Sequence, residues 1–248
     1  MTTLFISDLH LHPSRPEIID CFLDFLASWG GRAGTLYILG DLFEAWIGDD
    51  QPEAAYQAVK AALRDFTERG TAVRFLHGNR DFLVGTRFAA ETGCTLLDEP
   101  ARIDLYGTAT LLMHGDALCT GDEDYQELRR RFRDPRWQQQ VLQLPVERRL
   151  AMAREARELS VLAAQERDQR ISDVDPGEVR RIMEQHQVRL LIHGHTHRPG
   201  SHRLQCNGAS ATRIVLGDWY RNGSVLVAEP EGLELQHHDC AQRVPASS

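Results

Sequence analysis

The stretch "FISDLHLH" (residues 5–12) passes from a buried strand to metal-competent side chains with no intervening turn. Phe5, Ile6 and Ser7 suit a strand interior, whereas a carboxylate and imidazoles at its end are costly to desolvate without a partner. Asp8 and His10 stand two apart, so on an extended chain both side chains point the same way. That spacing suits a single cation, and it asks where further ligands come from. Read alone, the stretch is equally a strand that stops at the surface.

The rest of the chain supplies the ligands. Apolar strand patterns recur at 35–39, 72–77, 109–114, 189–193, 212–216 and 224–229, and helical spacing at 16–28 (Ile18, Ile19, Phe22, Leu23, Phe25, Leu26) and around 51–69. Strands alternating with helices predict an α/β sheet covered on both faces. Five of the strands end in polar clusters: Asp8 and His10; Gly40-Asp41; His77-Gly78-Asn79-Arg80-Asp81; His114-Gly115-Asp116; and His193-Gly194-His195-Thr196-His197. Each cluster alone reads as a turn or a surface histidine. Jointly they predict one crevice at the carboxyl ends of the strands. Carboxylate, imidazole and amide oxygen without cysteine suit Mn²⁺, Fe²⁺ or Zn²⁺. The inventory exceeds one ion and fits two, with a bridging carboxylate for which Asp41 is the natural choice.

Composition narrows the remaining possibilities. The 248 residues, 42% hydrophobic and 26% charged, are an ordinary globular mixture. A net charge of −8 argues against a nucleic-acid partner. Cys21, Cys94, Cys119, Cys206 and Cys240 lack C-x-x-C pairing and read as reduced thiols of a cytosolic protein. The chain enters a strand at once, so no signal peptide is expected, and no apolar run approaches the ~18 residues of a membrane span. The expectation is a soluble protein free to touch a membrane surface.

The ordered set Asp8/His10, Gly40-Asp41, Gly78-Asn79-Arg80-Asp81, His114 and Gly194-His195-Thr196-His197 resembles the calcineurin-like metallophosphoesterases over most of the chain. The resemblance implies an αββα sandwich, two stacked sheets flanked by helices, holding two metals. One metal would take Asp8, His10, Asp41 and His197, and the other Asp41, Asn79, His114 and His195. The superfamily usually has His after the Asn, as proton donor to an oxygen leaving group; here Arg80 stands there. Arginine does not give up its proton, but its guanidinium fork matches phosphoryl oxygens. A phosphate leaving group, with a second pKa of about 6, departs without protonation. Arg80 therefore points to a pyrophosphate substrate, the plainer alternative being a salt bridge to Asp81.

"GDLFEAWIGDD" (40–50), "GNRDFLVG" (78–85), "MHGDALCTGDEDYQ" (113–126) and "HGHTHRP" (193–199) are similar, more narrowly, to the UDP-2,3-diacylglucosamine diphosphatase family of lipid A biosynthesis. That likeness implies cleavage of UDP-2,3-diacylglucosamine to UMP and 2,3-diacylglucosamine 1-phosphate, with two Mn²⁺ per chain and water attacking the α-phosphorus. It implies catalytic roles for Arg80, Asp41 and His195, and substrate contacts from Asn79, Arg80, Asp122, Ser160, Arg167 and His195. Ala164 and Arg167 stand where the family often has Asn and Lys. It also implies peripheral attachment to the cytoplasmic face of the inner membrane, with no protein partner. Another metallophosphoesterase, acting on soluble nucleotide pyrophosphates or on phosphoproteins, and a non-catalytic scaffold on the same fold are the alternatives.

The Arg- and Glu-rich block 123–170 reads as a helical cap inserted in a core of 1–122 and 171–240, with 241–248 a flexible tail. Leu150, Ala153, Ala156, Leu159, Leu162 and Ala163 share one helical face, opposite Arg149, Arg154, Arg157 and Arg167. "RRRFRDPRW" (129–137) adds arginines beside Phe132 and Trp137. The reading is an apolar pocket for acyl chains, with a basic face for phosphates or anionic lipid. "HHDC" (237–240) reads as surface tail after the last strand.

Overall fold

Strand β1 (Thr2–Ile6) sends alternate side chains to opposite faces, and this divides the molecule into layers. Leu4 and Ile6 join a core with Phe22 and Phe25, while Phe5 packs with Leu112, Ile192 and Ile214. The same alternation runs through β2 (Ala33–Leu39) and β3 (Ala72–Leu76). The structure is a computed structural model that describes residues 1–52, 54–166, 173–220, 223–238 and 240; over 159–166 it describes only the backbone.

β1, β2, β3 and β4 (Thr95–Leu97) run parallel, and β10 (Gly223–Glu229) and β11 (Gly232–His238) extend the sheet antiparallel in the order β11-β10-β1-β2-β3-β4. Helices α1 (Pro16–Trp29), α2 (Ala54–Glu68) and α3 (Thr86–Thr92) cover its outer face. Pro16 opens α1, where a missing N–H costs nothing, and the helix buries Ile18, Ile19, Phe22, Phe25 and Leu26 as its spacing predicts. The second sheet orders β5 (Ala101–Leu105), β6 (Thr108–Leu112), β7 (Leu190–His193), β9 (Ala209–Val215) and β8 (Gly200–Cys206) as β5-β6-β7-β9-β8. Leu112, Leu190 and Ile192 face the first sheet, whereas Leu111 and Leu191 pack with Val179 and Met183 of a helix over Pro176–Gln185. The expected αββα sandwich is therefore present. The parallel strands β1, β2, β3, β6 and β7 all lead into the polar clusters read from the sequence.

Between β6 and β7 the chain forms α4 (Glu123–Phe132), α5 (Pro135–Leu142) and α6 (Val146–Glu166); the Pro176–Gln185 helix follows as α7. Asp122 and Asp134 cap α4 and α5 by accepting the backbone N–H of Tyr125 and Arg136. Charge pairs and aromatic stacking hold this block to the sandwich. Arg129 donates to Asp116 (2.9 Å) and Glu99 (2.7 Å), Arg133 to the carbonyls of His77 and Gly78, and Phe132 stacks on Phe82 at 5.1 Å.

Three expectations need correction. Arg149 does not belong to a basic face open to phosphates or anionic lipid. It is buried, donating to the carbonyls of Leu144 and Ile47 and to Asp50, which satisfy its guanidinium inside the fold. The cysteines are not all reduced: Cys21 of α1 and Cys240 form a disulfide across 219 residues, because the β10–β11 hairpin carries the chain back beside α1, a proximity no local spacing reveals. His237 and His238 lie within β11, not beyond the last strand.

Arg129 is the sole guanidinium donating to the fully buried Asp116 among the described residues, and it also holds the nearly buried Glu99. Removing one partner of such a buried network costs about 3–5 kcal/mol. Arg129→Ala should lower unfolding stability by that amount in a urea titration. A loss below about 1 kcal/mol would show that these carboxylates are satisfied without it.

Candidate metal centre

Five of the expected ligands adopt a backbone conformation that L-residues avoid. Asp8, His10, Asp41, His195 and His197 have φ of 56°, 50°, 53°, 68° and 54°. Such strain persists where surrounding structure over-determines it, and it clusters at functional sites. Here the loops brace one another: Asp8 and His10 donate their N–H to the carbonyls of Gly40 and Asp41, and Gly194 donates to His114.

Asp8 accepts from Ser7 Oγ (2.5 Å) and the N–H of His195 (2.8 Å) through Oδ2. Its Oδ1 is buried with no hydrogen bond, 3.4 Å from His197 Nε2 and 3.9 Å from His10 Nε2. Those two ring nitrogens are 3.3 Å apart. Asp41 accepts the N–H of Arg80 at Oδ1 (2.8 Å), leaving Oδ2 at 3.9 Å from His10 Nε2 and 3.8 Å from His114 Nε2. Asn79 Oδ1 lies 2.8 Å from His114 Nε2 and 3.0 Å from His195 Nδ1. Donors about 2.1 Å from one ion, at tetrahedral or octahedral angles, lie about 3.0–3.4 Å apart. His197 Nε2 meets this against both Asp8 Oδ1 and His10 Nε2, as Asn79 Oδ1 does against His195 Nδ1, while the 3.8–3.9 Å separations of Asp41 Oδ2 are wider. Asp41 Oδ2 lies between two such clusters, where a bridging oxygen belongs. Asp8 also joins Asp41 and His114 within 4.8 Å, so a second carboxylate faces the same centre.

The electrostatics point the same way. Burial, then the neighbouring Asp81 and Asp8, pushes Asp41 up to about 7 against the pull of His114. Burial works against charge on His114 too, but Asp41, Asp8 and Asp116 outweigh it and raise that imidazole to about 9. Burial would raise Asp8, yet His197 and His114 hold it below the usual carboxylate range. Burial keeps His10 well below an ordinary histidine and brings His195 down to about 4, so both are neutral rings with lone pairs to offer. Asp81 uses its oxygens on the N–H of Leu42 (2.7 Å) and Gly78 (2.8 Å), and Asp116 is paired to Arg129. Asp8 and Asp41 are left facing one another, which a divalent cation satisfies.

The salt bridge from Arg80 to Asp81 considered from the sequence does not form, because Asp81 is committed to backbone N–H groups. Arg80 lies at the centre through its N–H, and its Nε is buried without a hydrogen-bond partner. His12 instead meets Ser14 (2.7 Å), His77 the Val84 carbonyl (2.7 Å) and His193 the Gly194 carbonyl (2.8 Å), so these three strand-end histidines stay outside the donor clusters. Asp122 caps α4. The side chain of Ser160, and Arg167 altogether, fall outside the described residues. Sequence reasoning missed Tyr125, which lies over His195 at 6.0 Å and donates to Asp116, and Tyr220, stacked on His10 at 5.4 Å with Arg15 over its outer face. Neither tyrosine belongs to a strand end, so no pattern marks it.

Close approach dictates the glycine at 194: a Cβ there would strike Asp8 Oδ2 and Ser7 Oγ. Gly194→Ala should therefore displace the Asp8 carboxylate and weaken divalent-metal binding by about 10–100-fold, as loss of a ligand's supporting contacts does elsewhere. Titration of the metal-free variant, with circular dichroism to confirm folding, checks this; wild-type affinity would contradict it.

The sequence matches the family described as Calcineurin-like phosphoesterase over residues 1–199. It is 52% identical to a UDP-2,3-diacylglucosamine hydrolase of Stenotrophomonas maltophilia (strain K279a), over 95% of this chain and 98% of the relative. Proteins of the same name from Marinobacter nauticus and Chromohalobacter salexigens are 52% and 53% identical, over 90% and 88% of this chain and 91% and 89% of theirs. The family implies divalent-metal use, and two groups that share Asp8, one with His10 and the half-buried His197 and one with Asp41 and His114, have the donors for it. With donor set, strand-end geometry and sequence in agreement, this chain is a member of the calcineurin-like phosphoesterase family, among the relatives named UDP-2,3-diacylglucosamine hydrolase.

Proposed function

We propose that this chain hydrolyses the pyrophosphate bond of UDP-2,3-diacylglucosamine to UMP and 2,3-diacylglucosamine 1-phosphate, in lipid A biosynthesis. The observation that carries the reading is 52% identity over nearly the full length of a relative named for that substrate, with Arg80 set against Asp41 at the centre. Asp8, His10, Asp41 and His197 would hold one Mn²⁺, and Asp41, Asn79, His114 and His195 a second. Bound there, the ions supply an acidified water nucleophile and neutralise phosphoryl charge.

The protein's own groups do the rest. His10 and His195, kept neutral by burial, offer lone pairs without first shedding a proton. Arg80 has its N–H fixed on Asp41 and a guanidinium free of Asp81, so it is available to phosphoryl oxygens on the leaving side. No proton donor is required there, because the departing phosphate is a weak base. Asn79, Asp122, His195 and, from α6 and beyond, Ser160 and Arg167 complete the substrate contacts on this reading.

The block 123–170 acts as the cap. Leu150 and Ala153, on the face expected to meet acyl chains, line a cleft of about 320 Å³ with Arg154 and Arg157. Arg15 and Glu44 line the same cleft and approach His10, so an acyl chain held against Leu150 and Ala153 would lie beside the metal centre, with charged groups between. Buried methylenes contribute about 0.8 kcal/mol each. No helix among the described residues is long and apolar enough to cross a membrane. Exposed Leu128 and Leu142, among Arg130, Arg131 and Arg136, suit peripheral contact with anionic lipid on the cytoplasmic face of the inner membrane.

Phosphorus NMR of UDP-2,3-diacylglucosamine incubated with the Mn²⁺-supplemented protein should show UMP and the sugar 1-phosphate. In H₂¹⁸O the label should enter UMP. An intact lipid substrate alongside hydrolysis of an acyl-free UDP-sugar would overturn the reading in favour of a soluble nucleotide. Arg80→Ala should lower kcat/KM by about 10²–10³, the cost of one preorganised donor, with metal content retained. Unchanged kcat/KM would remove Arg80 from the reaction.

A further inference from the structure

His10 faces the metal centre with Nε2 and turns Nδ1 away from it. An imidazole that ligates through one nitrogen carries its proton on the other, and that N–H requires an acceptor to fix tautomer and ring orientation. Nδ1 of His10 is buried and forms no hydrogen bond; the carboxylate facing it is Glu44, with Oε2 3.6 Å away. Glu44 is itself only 6% exposed and belongs to no donor cluster of the centre. Two cations hold it there: Arg15, 3.5 Å from Oε2, and Arg157, which reaches across from α6. Arg15 also donates to the His10 carbonyl (2.5 Å), so the backbone and the ring of His10 are braced from one side.

We propose that Glu44 is a positioning residue for the metal ligand His10: it accepts a hydrogen bond from the Nδ1–H, orients Nε2 into the centre and ties that ligand to α6 through Arg157. This rests on the metal-centre reading above. The two ion positions then differ. His197 has Asp218 3.3 Å from its Nδ1, so both imidazoles of the Asp8/His10/His197 position are backed by carboxylates. At the other position His114 Nδ1 meets the neutral carbonyl of Leu39 at 2.9 Å. A carboxylate behind an imidazole raises its basicity, which makes the His10 position the tighter and the one that Glu44 governs.

Metal-free wild type, Glu44→Ala and Glu44→Gln are titrated with Mn²⁺, free ion being read by electron paramagnetic resonance. The wild type should show a tighter and a weaker class of site. In Glu44→Ala the tighter class should weaken by about 10–100-fold with the weaker one unmoved. Glu44→Gln keeps an acceptor of the same length and should fall between, which a merely space-filling role would not produce. Wild-type affinity in either folded variant, or equal weakening of both classes, overturns the proposal. Failure of the wild type to bind Mn²⁺ would instead remove the metal-centre reading beneath it.

Discussion

Everything in this molecule turns on two buried carboxylates that face one another. Asp8 and Asp41 are almost wholly removed from water, and each has one oxygen engaged by neutral N–H or O–H groups. Their free oxygens, Oδ1 of Asp8 and Oδ2 of Asp41, both lie near His10 Nε2. Burying like charges this way is unfavourable unless opposite charge joins them. His114, drawn up to about 9 by these carboxylates, supplies part of it when no ion is present. A divalent cation answers the same field more completely.

The sandwich exists in a form that makes this arrangement possible. Parallel strands bring their carboxyl ends to one edge, and stacking two such sheets brings two edges together. Gly40, Gly78 and Gly194 let the loops approach so closely that a Cβ at any of them would collide with a neighbouring loop, at the last two with Asp41 or Asp8. Asp81 ties the Gly40-Asp41 and Gly78-Asn79 loops together from beneath. Ligand orientation is thus set by backbone and glycine placement before any ion arrives, a preorganisation that the positive φ values record. The helices between β6 and β7 join the same network through Arg129, Arg133 and Arg157.

Legibility in the sequence followed burial. Strands buried on both faces, such as β1, β2, β3 and β7, stand out as apolar runs, and the polar residues after them stand out by contrast. β8 and β11 are edge strands with mostly exposed side chains, and β4 has three residues, so no apolar run marks them. Asp8, His10, Asp41, Asn79, His114, His195 and His197 lie close together in the fold, since each sits within a few residues of a strand end. Tyr220, Glu44 and Asp218 also follow strands closely, but they act on His10 and His197 through tertiary contacts between loops, which no local pattern marks. Arg149 shows the limit of helical periodicity, which placed it on the exposed basic face opposite Leu150 while Asp50 and two carbonyls draw it inside. The Cys21–Cys240 bond likewise depends on where the last hairpin returns.

The central claim is that Asp41 Oδ2 serves two ion positions at once. Equilibrium dialysis of metal-free protein against Mn²⁺, followed by elemental analysis, tests it directly when wild type is compared with Asp41→Asn. The account predicts about two ions per chain in the wild type and loss of both together in a folded Asp41→Asn, since the bridge belongs to each. A variant that still binds two ions, or a wild type that saturates at one, would contradict it.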